Sequence, residues 1–110
     1  MIMVVGVVRL VASLIAAAIL EAGGNALIRQ GLLRSWWPLL VAGVGTLGLY
    51  GLLVNQGGLQ FDFGRLMGCY IVAFFLVSQT LALFVFRDPL SWRTLLGGGF
   101  ILLGGLVILV

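Results

Sequence analysis

The sequence has no histidine, no lysine, one cysteine, two prolines and three carboxylates in 110 residues. Each shortage narrows the chemistry. Without histidine there is no imidazole for acid–base work near neutral pH. Cys69 alone supplies neither an intrachain disulfide nor a Cys/His metal cluster. No Walker-type phosphate loop is present. The six basic residues are all arginines, scattered near the ends of apolar segments, with no run suited to nucleic acid. These absences argue against an enzyme, a bound metal, a cofactor and a nucleic-acid partner.

Apolar side chains dominate what is present. The chain is 63% hydrophobic and 8% charged, where soluble domains average roughly 45–50% apolar and about 25% charged residues. A soluble domain of this length could not hide that surface, because small domains leave much of their surface in water. The expected solvent is therefore a lipid bilayer, and the expected fold is an all-α integral membrane protein.

A spanning helix needs about 20 mainly apolar residues. Four segments qualify, approximately 3–31, 36–54, 65–86 and 90–110, within one membrane domain covering 1–110. "RQGLLRS" (29–35), "NQGGLQFDFG" (55–64) and "RDPLS" (87–91) separate them. Connections this short predict antiparallel neighbours in a four-helix bundle. Asp88-Pro89 suits an N-cap followed by the first residue of the fourth helix. The first run is not read as a cleaved leader, since Arg9 follows an apolar stretch and no clear cleavage site precedes a polar region. Arg29, Arg34, Arg87 and Arg93 share one membrane face, against Arg65 and Arg9 on the other. That bias is weak and is compatible with insertion in either orientation.

Glu21 is out of place in this setting. Arg9 and Arg29 are twenty residues apart, about 30 Å of helix, which matches the hydrocarbon thickness and puts Glu21 roughly 3 Å from the midplane. An acidic residue there costs about 2.5–3.5 kcal/mol on insertion scales and usually faces a bundle interior or a wet cavity. Such a carboxyl can exchange a proton for a cation, the minimum chemistry of a proton-coupled exporter. It can equally serve as an interhelical hydrogen bond that holds the bundle together. Ala17, Ala18 and Gly24 flank it on the same helix face, and Asn25 lies one turn on. Small residues leave room for a ligand, and they also permit close helix approach. Tyr50 and Tyr70 are the only tyrosines, and each could hydrogen-bond the carboxyl or offer a ring face to a cation. Trp36, Trp37 and Trp92 sit near span ends, where interfacial anchoring is expected.

The last span carries Gly97, Gly98 and Gly99, then Gly104 and Gly105. The pairs Gly97/Gly104 and Gly98/Gly105 keep a seven-residue spacing, hence one helix face each. Four short helices cannot surround a sizeable substrate. The fourth span is therefore read as a dimer contact, with packing inside one bundle as the alternative.

In order and spacing these features resemble the small multidrug resistance (SMR) superfamily. The resemblance rests on "LEAGGNALIR" around Glu21, the following "WWP", and the glycine-faced last span, and it covers nearly the whole chain. It looks closest to the YnfA-like branch, through "GRLMGCY" with Gly64, Arg65 and Tyr70 in register, Trp92, and the closing "LLGGLVIL". The resemblance implies a homodimer in a bacterial-type inner membrane, usually antiparallel in the family. Paired Glu21 carboxylates would form the shared site for protons or organic cations. It also places Tyr70 where drug-exporting members have a site-lining tryptophan, and Gly97 and Gly104 on the dimer-contact helix. Met67 stands where many of those members have a tyrosine, and Val72-Ala73-Phe74 where they carry a glycine-containing hinge. Some relatives are implicated in moving lipid-linked sugars, so an amphiphilic cargo is a second expectation. A non-transporting membrane subunit is a third.

Overall fold

The structure, a computed structural model, describes residues 2–57 and 61–109, with the side chains of residues 2, 3 and 57 excepted. The predicted end of the fourth span at 110 and residues 58–60 of the second connection lie outside them. Four helices form: α1 (Ile2–Arg34), α2 (Trp37–Gly57), α3 (Phe63–Phe84) and α4 (Trp92–Leu109). All four are long and apolar enough to cross a membrane. Among the described residues only seven apolar side chains are buried, whereas dozens of large ones stay uncovered, among them Val41, Leu52, Phe100 and Val107. That surface suits lipid rather than water. The chain is thus built as a multi-pass membrane protein.

The α1–α2 turn explains itself locally. Ser35 adopts φ 52°, and Trp36 N–H donates to the Gly31 carbonyl at 2.9 Å. This is the helix-ending pattern in which a left-handed residue returns the chain onto the last turn. Pro38 then falls in the first turn of α2, where its missing N–H costs nothing. The two helices meet backbone to backbone. A methyl group on Gly24 would lie 3.1 Å from the Gly43 carbonyl oxygen, and one on Gly43 would lie 2.8 Å from the Gly24 oxygen. Gly31 sits equally close to Leu40.

Helix order departs from the prediction that consecutive helices are neighbours. α1 packs against both α2 and α3, and α4 packs against α3 alone. Among the described residues the backbones of α2 and α3 stay apart, and these two helices meet through side chains, Val54 and Tyr50 against Leu66 and Tyr70. The arrangement is consistent with a four-helix bundle in which α4 sits at the edge, on α3.

The start of α4 also differs. Asp88 and Pro89 remain in the connection, where Arg87 takes φ 56° and Asp88 N–H bonds the Ala82 carbonyl at 2.9 Å. Ser91 caps the helix instead: its Oγ accepts from Thr94 N–H at 3.1 Å and pairs with Thr94 Oγ1 at 2.9 Å. Tying Asp88 back to α3 leaves its side chain too far upstream to serve α4. At the other end of α4, the Arg65 guanidinium donates to the Leu109 carbonyl. A cation at that helix terminus complements the dipole and fixes α4 antiparallel to α3.

Candidate functional site

The core cluster joins Leu14, Ala17 and Ala18 of α1 to Val54 of α2 and to Leu66 and Tyr70 of α3. Glu21 stands at the edge of this cluster, half-buried. Tyr70 is 4% exposed, and its hydroxyl donates to Glu21 Oε1 at 2.7 Å. That length suits an O–H donor facing a carboxylate. The ring of Tyr50 approaches Tyr70 with centroids 5.4 Å apart and planes tilted by 31°. Phe74, one turn beyond Tyr70, stacks on it at 6.2 Å and 12°. Three rings from α2 and α3 therefore brace one hydroxyl that points at one carboxylate. Among the described residues no ion pair engages Glu21, and its Oε2 accepts nothing from another side chain.

Asn25 takes a different part from the one its position suggests. Its Nδ2 donates to the backbone carbonyl of Glu21 at 3.0 Å, so the amide holds the helix rather than the carboxyl. Asn25 is exposed. It opens onto a cleft of about 170 Å³ between α1 and α3, which runs past Ser78 to Arg29 and Phe86. There the Arg29 guanidinium sits 5.8 Å from the centre of the Phe86 ring, a cation–π geometry. Neither Ser78 nor the Arg29–Phe86 contact stood out in the sequence, because both depend on how α3 lies beside α1.

The small residues around Glu21 are spent on packing. Ala17 and Ala18 are 0% exposed, and Gly24 is buried at its crossing with Gly43. They do not line an open space in the single chain. Their missing side chains let α2 and α3 close on α1, which brings Tyr50 and Tyr70 within reach of one another.

The glycines of α4 divide by face. Gly98 lies under Phe75 and Gly105 under Val72, so this pair forms the seam with α3 inside the chain. Nothing lies within 4 Å of the position a methyl group would occupy on Gly97 or Gly104. Of the four glycines read as dimer contacts, only these two present an uncovered face. Trp36, Trp37 and Trp92 are exposed at helix ends, as interfacial anchors would be.

No protein-family model, curated protein or solved structure matches this chain.

Proposed function

We propose that two copies of this chain form a proton-coupled exporter of small or amphiphilic organic cations. Glu21 of each copy is the carboxylate that proton and substrate share. The observation that carries the proposal is the half-buried Glu21, oriented by the Tyr70 hydroxyl, with its second oxygen accessible and, among the described residues, bonded to no side chain, in a chain of four apolar helices. A carboxylate offers about four acceptor sites, and hydrocarbon supplies no donors. A proton or a cation meets that need, and exchanging one for the other is transport chemistry. The stacked Tyr50, Tyr70 and Phe74 add ring faces that attract a cation. The uncovered Gly97/Gly104 face of α4 fits close approach by a second copy. Such a pair would sit in a bacterial-type inner membrane, as the sequence resemblance to the SMR superfamily implies.

A second reading has its own observation. The Tyr70–Glu21 bond links α3 to α1, which is what a structural hydrogen bond would do in a small non-transporting subunit. Solid-supported-membrane electrophysiology on purified protein, across a panel of organic cations, separates the two. The exporter gives cation-evoked currents that Glu21→Gln abolishes, and its cation affinity falls as pH is lowered because proton and cation compete for one carboxylate. Currents that survive in Glu21→Gln, or none for any cation, would overturn the proposal.

A further inference from the structure

The cavity most remote in character from Glu21 is a furrow of about 440 Å³ floored by α3 and walled by α1 and α4. Among the described residues α1 and α4 both pack on α3 while their own backbones stay apart, which leaves the furrow between them. Leu10 and Leu14 form one wall, Leu106 and Leu109 the other, and Cys69 and Val72 part of the floor. Among the rim residues, Val11 is 47% and Leu106 57% exposed, so the furrow opens sideways. In a spanning chain that side faces hydrocarbon, and the lining is apolar throughout.

One end of the furrow is charged. Arg65 lies one turn before Cys69 on α3, on the same helix face. Its guanidinium bonds the carbonyl of Leu109, which itself lines the furrow. Arg65 is exposed and, among the described residues, has no carboxylate partner. A guanidinium carries five N–H donors in a planar fork suited to phosphate. The bond to Leu109 leaves part of that fork free. An apolar channel with a cation at its mouth that meets no carboxylate among the described residues is complementary to an anionic amphiphile.

The geometry points to a binding site for an anionic phospholipid, with one acyl chain in the α1/α3/α4 furrow and its phosphate on Arg65. The site is separate from Glu21 and stands whether or not the chain exports cations. Its occupant would supply the contact that α1 and α4 lack with each other, tying the outer helix to the rest of the fold.

Native mass spectrometry of the purified full chain tests this, using phosphatidylglycerol, phosphatidylcholine of the same acyl length, and inorganic phosphate alone. The wild-type chain should retain phosphatidylglycerol in preference to phosphatidylcholine. Arg65→Gln should lower that preference about fivefold, the worth of one basic side chain beside an anionic lipid, while Arg65→Lys keeps most of it. Val11→Phe adds bulk from an exposed rim position and should reduce retention of both lipids without touching Arg65. It decides the matter if Arg65→Gln loosens α4. Equal retention of the two lipids by wild type, unchanged retention in Val11→Phe, or displacement of the lipid by an equal concentration of inorganic phosphate would each overturn the assignment.

Discussion

Gly104 and Gly105 are neighbours in sequence, both inside α4, yet their surroundings are opposite. A methyl group on Gly105 would run into Val72 Cγ2, whereas one on Gly104 would meet nothing within 4 Å. Replacing either by alanine removes the same backbone penalty, about 0.5–1 kcal/mol in favour of the helix. The overpacking cost falls on Gly105→Ala alone and is typically about 1–3 kcal/mol. Val72 cannot easily turn away, since a β-branched side chain in a helix holds essentially one χ1 rotamer. Subtracting the helix gain leaves Gly105→Ala neutral to about 2 kcal/mol destabilised. Gly104→Ala should be stabilised by up to about 1 kcal/mol. The helix term cancels in the difference, so the two variants should be separated by about 1–3 kcal/mol.

Reversible unfolding in mixed micelles, followed by tryptophan fluorescence, measures that separation. Trp92 on α4 places a reporter on the helix concerned. A second measurement, resonance energy transfer between labelled copies, gives the opposite ranking if the uncovered face is where copies meet. Gly104→Ala should then weaken self-association, and Gly105→Ala should leave it nearly unchanged. Gly97→Ala and Gly98→Ala repeat the design one heptad earlier, with Phe75 in the place of Val72. A ring edge yields more readily than a β-branched carbon, so the penalty at Gly98 should be the smaller. Identical unfolding midpoints for Gly104→Ala and Gly105→Ala would refute the assignment of the Gly98/Gly105 seam to α3.

Three further outcomes follow from single contacts. Tyr70→Phe keeps the ring against Tyr50 and Phe74 but deletes the donor to Glu21; it should destabilise the chain by about 1.5–3 kcal/mol in the same unfolding assay, the worth of a hydrogen bond to a charged group. Ser91→Ala should destabilise the chain by about 1 kcal/mol through loss of the α4 cap, while Asp88→Ala should change it little; the reverse ranking in the same unfolding assay would restore Asp88 as the cap. Ser35→Gly relieves a left-handed residue at the α1–α2 turn and should raise stability by roughly 1 kcal/mol or somewhat less.

What the sequence made legible follows from which forces act locally. Hydropathy located all four helices, because a spanning segment must satisfy its backbone within itself and present apolar side chains throughout. Among the described residues the predicted ends fall within three residues of those observed, and at the start of α4 only the capping residue differs. Asp88-Pro89 and Ser91 are both good starts for a helix, and only the bond from Asp88 N–H to Ala82 decides between them. Lateral order was not legible. With lipid on every side, nearly any face of these helices can be outward, so apolar patterning carries little information about neighbours. The seven-residue glycine spacing shows the same limit: it tells that Gly98 and Gly105 share a face, not that the face meets α3. Likewise Ala17, Ala18 and Gly24 were compatible with an open site or a tight crossing, since both require an absent side chain. The structure resolves the ambiguity toward crossing.

That resolution sharpens the question at Glu21 rather than dissolving it. If the small residues around it had lined a cavity, water in the cavity could have satisfied the carboxylate. Instead Ala17, Ala18 and Gly24 are closed over by α2 and α3, and Asn25 has turned its amide to the backbone. Within the chain Glu21 retains one donor, Tyr70. A structural hydrogen bond between two helices would be served by glutamine or by a protonated glutamate, both neutral in hydrocarbon. A glutamate there offers the one property glutamine lacks, the exchange of its charge for a proton. The packing around Glu21 is thus compatible with the proposed exchange of proton and cation as well as with a structural bond, and the Glu21→Gln variant distinguishes them.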